Sequence, residues 1–318
     1  MRLLAVDDDP LILDLLPIVF RQANLPQVTL ASSGPAALEI LSDPDREFDV
    51  LLLDVDMPSM TGIELCRKIR KLDRYRDTPI LMLTAVTDSV RIEKAFAAGA
   101  NDYITKPFDI KEIVTRVRVA KRMTEKTDRV PLLSPEPSNP PGEPGVHAFD
   151  LAEPVRLRNR DRLILPFSLG NYLSQLSRRR LDSCTVFAAR IPQIVTLWEE
   201  RTTAEYARTL CRTVDAISTV LDHPSLLMSY EGRGTFLCIT QGPGAPAWPE
   251  IEDRINAALN HQQRGEEHPS PLRFEVVVGN PITPNASRTQ RVKKTFDRAI
   301  ERALQREHTR VAHTFSNA

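Results

Sequence analysis

Short blocks of consecutive apolar residues recur through the first part of the chain: "RLLAV", "QVTLA", "DVLLLD", "PILMLT" and "NDYIT". Continuous apolar runs of this length suit strands buried on both faces. Between them, stretches such as "PLILDLLPIVFRQA" and "SVRIEKAFAAGA" space their apolar positions three and four apart, as an amphipathic helix does. Strands alternating with helices predict βαβ units, hence a doubly wound five-stranded parallel sheet with helices on both faces.

The later pattern is different. "SLGNYLSQLSRRRL" reads as a helix, "CTVFAARI" as a strand and "AEYARTLCRTVDAISTVL" as a long amphipathic helix. A hairpin "SLLMSY…TFLCIT", a helix "EIEDRINAALNHQQ", a strand "LRFEVVVG" and a closing helix "VKKTFDRAIERALQREH" follow. This order predicts an α+β domain with a mainly antiparallel sheet. Seven prolines stand between Pro131 and Pro154, and proline supports neither helix continuation nor a sheet ladder. The expected division is a first domain over 1–122, an extended linker over 123–154, a second domain over 155–310 and a tail over 311–318.

Composition narrows the classes. Lys+Arg and Asp+Glu both total 42 in 318 residues, so no basic excess points to nucleic acid or an acidic membrane. Four scattered cysteines without a CxxC pair suit reduced thiols rather than a disulfide frame or zinc site. With no long apolar run and three aspartates soon after the start, a soluble cytoplasmic protein without membrane attachment is expected.

In a doubly wound sheet, functional groups collect at the carboxyl ends of the strands. There the chain has Asp7, Asp8 and Asp9 after the first strand, Asp54 ending the third, Thr84 ending the fourth, and Lys106-Pro107 after the fifth. Converging carboxylates repel, and a hard divalent cation such as Mg²⁺ relieves that repulsion. A hydroxyl and an ammonium beside them suit phosphoryl oxygens. Asp9, before Pro10, reads as a helix cap.

These residues, with "VDDDP", "LLLDVDMPSMTGIEL", "LMLTA" and "GANDYITKPF", resemble the receiver domain of bacterial two-component response regulators. The resemblance implies that Asp54 accepts a phosphoryl group from a sensor histidine kinase or phosphotransfer protein. It implies Mg²⁺ held by Asp7, Asp8, Asp54 and the backbone carbonyl of Asp56, with Thr84 and Lys106 on the phosphoryl oxygens. Thr84 and Tyr103 would form the switch, Tyr103 rotating inward, and the Lys106-Pro107 bond would be cis. Lys111, Arg116 and Lys121 form a charged stripe suited to a second copy, which makes a homodimer one expectation.

The second part resembles the GGDEF domain of diguanylate cyclases in element order and in its closing "FDRAIERALQREH". At the signature turn only Gly232-Arg233-Gly234-Thr235-Phe236 survives, with Gly234 and Thr235 replacing the acidic pair. On the first strand, Ala188 and Arg190 replace the two metal-side aspartates of Asp-x-Asp-x-Phe-Lys. Two-metal chemistry needs those carboxylates. The expectation is therefore a catalytically inactive output domain that neither makes nor binds cyclic di-GMP and signals to a downstream protein partner the sequence does not name. An active cyclase with atypical ligands and a DNA-binding regulator reading through 155–180 are the alternatives.

Overall fold

The computed structural model describes residues 1–25, 28–85, 89–126, 130–137, 142–223, 225–242, 250–264, 274–284 and 290–316. It divides into two compact units, Met1–Val130 and Pro131–Ala318.

In the first unit five strands alternate with five helices: β1 (Leu3–Val6), α1 (Pro10–Gln22), β2 (Val28–Ala31), α2 (Gly34–Ser42), β3 (Val50–Asp54), α3 (Gly62–Arg70), β4 (Ile80–Thr84), α4 (Ser89–Ala97), β5 (Asp102–Thr105) and α5 (Ile110–Lys126). The sheet is parallel throughout, in the order β2-β1-β3-β4-β5. Strand side chains alternate between faces. Leu3, Ala5, Val50, Leu52, Leu81, Leu83 and Ile104 meet α1 and α5 through Leu16, Val19, Phe20, Ile113 and Val117. Their neighbours Leu4, Val6, Leu51, Leu53, Ile80 and Met82 are equally buried on the opposite face. Continuous burial explains why these strands read as unbroken apolar runs.

Local chemistry sets the helix starts that flank the strand ends. Asp9 caps α1, accepting from the backbone N–H of Leu11 at 2.9 Å, with Pro10 in the first turn. Thr61 and Glu64 form a reciprocal capping box at α3. At the other end of α3, the guanidinium of Arg70 donates to the carbonyls of Gly99, Tyr75 and Thr78 and to Oδ1 of Asn101, over 2.7–3.0 Å. Asn101 Oδ1 also accepts from the N–H of Ile80, tying this clasp to the start of β4.

The second unit contains β6 (Leu132–Leu133), β7 (Arg156–Leu157), α6 (Pro166–Gln175), α7 (Arg178–Asp182), β8 (Cys184–Arg190), α8 (Ile194–Glu200), α9 (Thr203–Leu221), β9 (Leu227–Tyr230), β10 (Thr235–Gln241), α10 (Glu250–Arg264), β11 (Val277–Val278) and α11 (Arg291–Ser316). Its four-stranded sheet is antiparallel, in the order β11-β8-β10-β9. Phe187, Ala189, Met228, Tyr230, Phe236 and Cys238 share a core with Tyr206, Leu210, Val214 and Ile217 of α9 and Ile255 and Leu259 of α10. All four cysteines are free and buried. No described helix is long and apolar enough to cross a membrane.

Three boundaries differ from the sequence expectation. The proline-rich stretch is not simply an extended linker: α5 continues to Lys126, and β6 pairs with β7 in a small parallel ladder that belongs to the second unit. Proline forbids helix but not docking through carbonyls, and Pro135 accepts from Arg208 of α9 at 3.1 Å. Residues 127–129 and 138–141 of that stretch lie outside the described residues. The expected tail is helical as far as Ser316, because α11 runs on past 310; 317–318 lie outside the description. The strand expected over "LRFEVVVG" pairs only at Val277–Val278, and Leu272 and Arg273 lie outside the described residues.

Arg70 satisfies four acceptors that would otherwise sit at a part-buried junction. Arg70→Ala should lower the stability of the first unit by about 2–3 kcal/mol in urea unfolding. Arg70→Lys should recover less than half of that, since an ammonium cannot span the fork.

Candidate functional site

The carboxyl ends of β1, β3, β4 and β5 bring together the residues singled out in the sequence. Asp7 is fully buried and Asp54 nearly so, while Asp8 is exposed. One carboxylate oxygen from each of the three lies within 4.8 Å of the others, so the donor set fits a hard divalent cation. Lys106 Nζ reaches both buried carboxylates, at 2.6 Å from Asp7 Oδ2 and 2.6 Å from Asp54 Oδ1. The second Asp54 oxygen accepts from the backbone N–H of Asp56 at 2.8 Å.

Several backbone contacts hold this geometry. Lys106 N donates to the carbonyl of Thr84 at 2.7 Å, and the Lys106-Pro107 bond is cis. Thr84 is buried at the end of β4. Gly62, which sequence reading passed over, starts α3 directly against the phosphoacceptor candidate. A Cβ there would stand 2.0 Å from the carbonyl oxygen of Asp54, so no larger residue fits without moving the strand end. The "TG" of "MPSMTGIEL" carried that signal, as a cap followed by a residue allowing close approach.

Electrostatics follows from burial. Desolvation pushes the Asp54 carboxyl above its usual range; the hydrogen bond and charge of Lys106 oppose that push, and Asp7 adds to it. Burial alone would lower the Lys106 ammonium, but its bonds to Asp54 and Asp7 outweigh this and raise it. The site therefore holds a protonated lysine between two carboxylates, with burial opposing the ionised form of Asp54.

At the edge of the site Tyr103 lies inward, 8% exposed, its ring edge-on to Phe96 with centroids 6.2 Å apart. One expectation changes there. Arg116 does not stand in an exposed stripe with Lys111 and Lys121. It donates to Asp102 Oδ2 at 2.7 Å and to Glu112 Oε1 at 2.8 Å within its own chain, because Asp102 at the start of β5 offers a buried partner. Arg91 of α4 pairs with the side chain of Asp56 at 2.5 Å.

In the second unit, β8 and β10 place Arg190 opposite Thr235 in register. The guanidinium donates to Thr235 Oγ1 at 2.6 Å and to Glu307 Oε2 of α11 at 2.8 Å. Ala188 and Phe236 are fully buried core residues, the latter packed on Tyr230 at 5.0 Å. Glu231, beside the turn, accepts from Ser229 Oγ at 2.5 Å, and burial raises its carboxyl despite that bond. Arg190 at this strand end is already neutralised by Glu307, and among the described residues no cluster of metal-ligating side chains gathers in this unit.

A raised Asp54 means that the folded state binds its proton more tightly than the unfolded state. Stability therefore falls as pH rises from about 4 through the native value, and the cost of the buried charge is complete only above that value. Asp54→Asn, in chelator, should remove this pH-dependent loss, so that its stability relative to the unaltered chain rises as the pH is raised. The difference should shrink toward zero as the pH falls to about 4, as denaturant melts across that range would show.

Comparison with known proteins gives this arrangement a family. The response regulator receiver domain pattern matches residues 3–118. The chain is 39% identical over 132 residues to the DNA-binding dual master transcriptional regulator RpaA of Synechocystis sp., covering 41% of this chain and 52% of that protein. It is 39% identical over 126 residues to the DNA-binding response regulator MtrA of Mycolicibacterium smegmatis, covering 39% and 52%. The chain thus spans about half the length of the curated relatives it matches. Among solved structures, the chemotaxis response regulator CheY4 of Vibrio cholerae is 33% identical over 37% of this chain and 97% of its own, with a TM-score of 0.35. Residues 3–118 are a response regulator receiver domain.

Proposed function

We propose that the chain is a phosphorylation-dependent response regulator of two-component signalling whose second domain is a non-enzymatic output module. The observation that carries this reading is the contrast between two strand-end clusters. At one, Asp7, Asp54 and Lys106 keep a complete acidic and cationic set. At the other, Arg190, Thr235 and Glu307 have closed on one another.

In the receiver, an Asp54 carboxylate oxygen attacks the phosphorus of a phosphohistidine on a sensor kinase or phosphotransfer protein. The O–P bond forms as the P–N bond breaks, the electron pair leaves with the imidazole, and the product is an aspartyl phosphate. Asp7, Asp8, Asp54 and the carbonyl of Asp56 would hold Mg²⁺, which supplies neutralisation of the phosphoryl charge. Lys106 exchanges its Asp54 contact for a phosphoryl oxygen while keeping Asp7. Thr84 turns its hydroxyl to a second oxygen, and Tyr103 secures the rearranged face of α4, β5 and α5.

The output module resembles a GGDEF domain in element order, and its stripped turn and internal ion pair support loss of cyclase chemistry. RpaA and MtrA are DNA-binding by name, yet the match to each spans 132 and 126 residues, about the length of the receiver. In the 155–180 stretch proposed as a DNA-reading alternative, Ser168, Leu169, Gly170, Tyr172 and Leu173 of α6 are buried in the second unit.

Incubation with a small phosphodonor and Mg²⁺ should label the full chain once. Asp54→Ala should abolish labelling, and Lys106→Ala should slow it by about 10- to 100-fold, the scale of losing one charge-assisted hydrogen bond in the transition state. The same protein given GTP with Mg²⁺ or Mn²⁺ should form no cyclic product. Labelling that persists in Asp54→Ala would refute the receiver assignment, whereas a cyclic product would refute the inactive output module alone.

A further inference from the structure

The β9–β10 turn has three successive residues in the left-handed region: Gly232 at φ +84°, Arg233 at +48° and Gly234 at +71°. A hairpin bend accounts for part of this, through Glu231 N to Thr235 O at 2.9 Å and Thr235 N to Gly232 O at 3.0 Å. It leaves the outer side of the turn unexplained, and non-glycine residues seldom adopt such a conformation without a reason. There Gly234 lies against Ile194 and the Ile191 carbonyl, while Gly232 and Arg233 face the chain's own earlier segment. Arg233 N donates to the carbonyl of Leu151 at 2.7 Å. A Cβ on Gly232 would lie 2.3 Å from the carbonyl oxygen of Ala152, so the turn is bare where peptide backbone meets it.

The segment is anchored along its length. Gly145 N donates to the carbonyl of Arg201 at 3.0 Å. The ring of His147 stacks on Trp198 at 3.8 Å, with Nε2 2.8 Å from the Trp198 carbonyl and Nδ1 2.9 Å from Thr203 Oγ1. Phe149 meets Trp198 edge-on at 4.9 Å, and Leu151 packs on the domain core. His147, Phe149 and Leu151 are alternate residues of a segment that closes in a turn, Glu153 N donating to the carbonyl of Asp150 at 3.0 Å and Ala152 N to Asp150 Oδ1 at 2.7 Å. Behind the turn, Tyr230 accepts from Gly234 N at 3.0 Å and pairs with Tyr206 at 2.6 Å. Tyr206 in turn touches Trp198 at 5.1 Å, so turn and aromatic wall are one connected surface.

We propose that the β9–β10 turn and the Trp198–Tyr206 wall form a binding site for a peptide turn, filled by the chain's own segment Gly145–Glu153. The ligand class is a turn-forming backbone that offers a carbonyl to Arg233 N–H and lies close against Gly232, preceded by aromatic side chains at alternate positions. The main-chain bond fixes the turn and the alternate side chains supply selectivity. The assignment stands independently of the receiver reading. A ligand attached through its own chain acts at an effective concentration on the order of millimolar, so the tethered segment excludes free peptide of the same sequence.

The test uses the full chain with His147→Ala and Phe149→Ala, and a fluorescent peptide of residues 144–154, "PGVHAFDLAEP", read by anisotropy. Hydrogen exchange over 145–153 reports whether the internal segment has come off. Release should accompany peptide binding at least about 10-fold tighter than to the unaltered chain. Adding Gly232→Ala to the double variant should abolish that binding. Gly232→Ala alone should expose 145–153 to exchange while β8 stays protected, which keeps the test open if the double variant folds poorly. The proposal is overturned by a released segment with no peptide binding, by binding that ignores Gly232→Ala, or by wild-type protection of 145–153 in the Gly232→Ala chain.

Discussion

The contact on which the first domain's chemistry rests is the bridge from one ammonium to two buried carboxylates, Lys106 to Asp7 and Asp54. Two carboxylates at the end of an apolar sheet are an electrostatic problem, since burial penalises each charge and each penalises the other. Lys106 offsets part of that cost, while burial still holds the Asp54 carboxyl above its usual range. The Asp54 carboxylate is held in one orientation, one oxygen accepting from Asp56 N and the other facing Lys106 Nζ. The supporting frame follows from the same need: the Gly62 approach and the bond from Lys106 N to the Thr84 carbonyl fix the strand ends on which the charges stand.

The second domain solves a comparable geometrical problem in the opposite sense. A strand end beside a hairpin turn is again the place where polar groups meet, but Arg190 stands there, satisfied by Thr235 and Glu307. A buried or half-buried arginine with two good acceptors is costly to disturb, because removing either partner strands the other charge. The pair gives the domain a structural use for the position. Two of the turn's three left-handed residues, Gly232 and Arg233, meet the carbonyls of Ala152 and Leu151, and Gly234 lies against Ile194.

Much of the first domain was legible because burial on both faces leaves so distinct a trace. Runs such as "VLLLD" and "ILMLT" admit few readings, and the strand-end rule then singles out Asp7, Asp54, Thr84 and Lys106. What escaped were contacts made by backbone or by residues distant in sequence. Arg70 looks like any basic residue in a last helical turn until its acceptors at Gly99 and Asn101 are seen. Arg116 looks like part of a surface stripe until Asp102 claims it. Gly62 is one glycine after a cap, and only the Asp54 carbonyl shows why it cannot be larger.

The proline-rich stretch shows where pattern reading stops for a physical reason. Proline density reports what a segment cannot form, namely helix and central strand, and says nothing about what its carbonyls can accept. Docking here uses carbonyls of Pro135, Leu151 and Ala152 and the alternate side chains His147 and Phe149. None of these needs regular secondary structure, so none leaves a periodic signature. The glycines of "EGRGT" are ambiguous for the same reason: a bare backbone suits a phosphate and a peptide equally well. What decides between them is which neighbour presents acceptors and which presents donors. Arg233 N–H meets a carbonyl, the nearest strand-end cation is already neutralised by Glu307, and the surrounding wall is aromatic. Those are the surroundings of a peptide, so the turn keeps its shape because it still has something to hold.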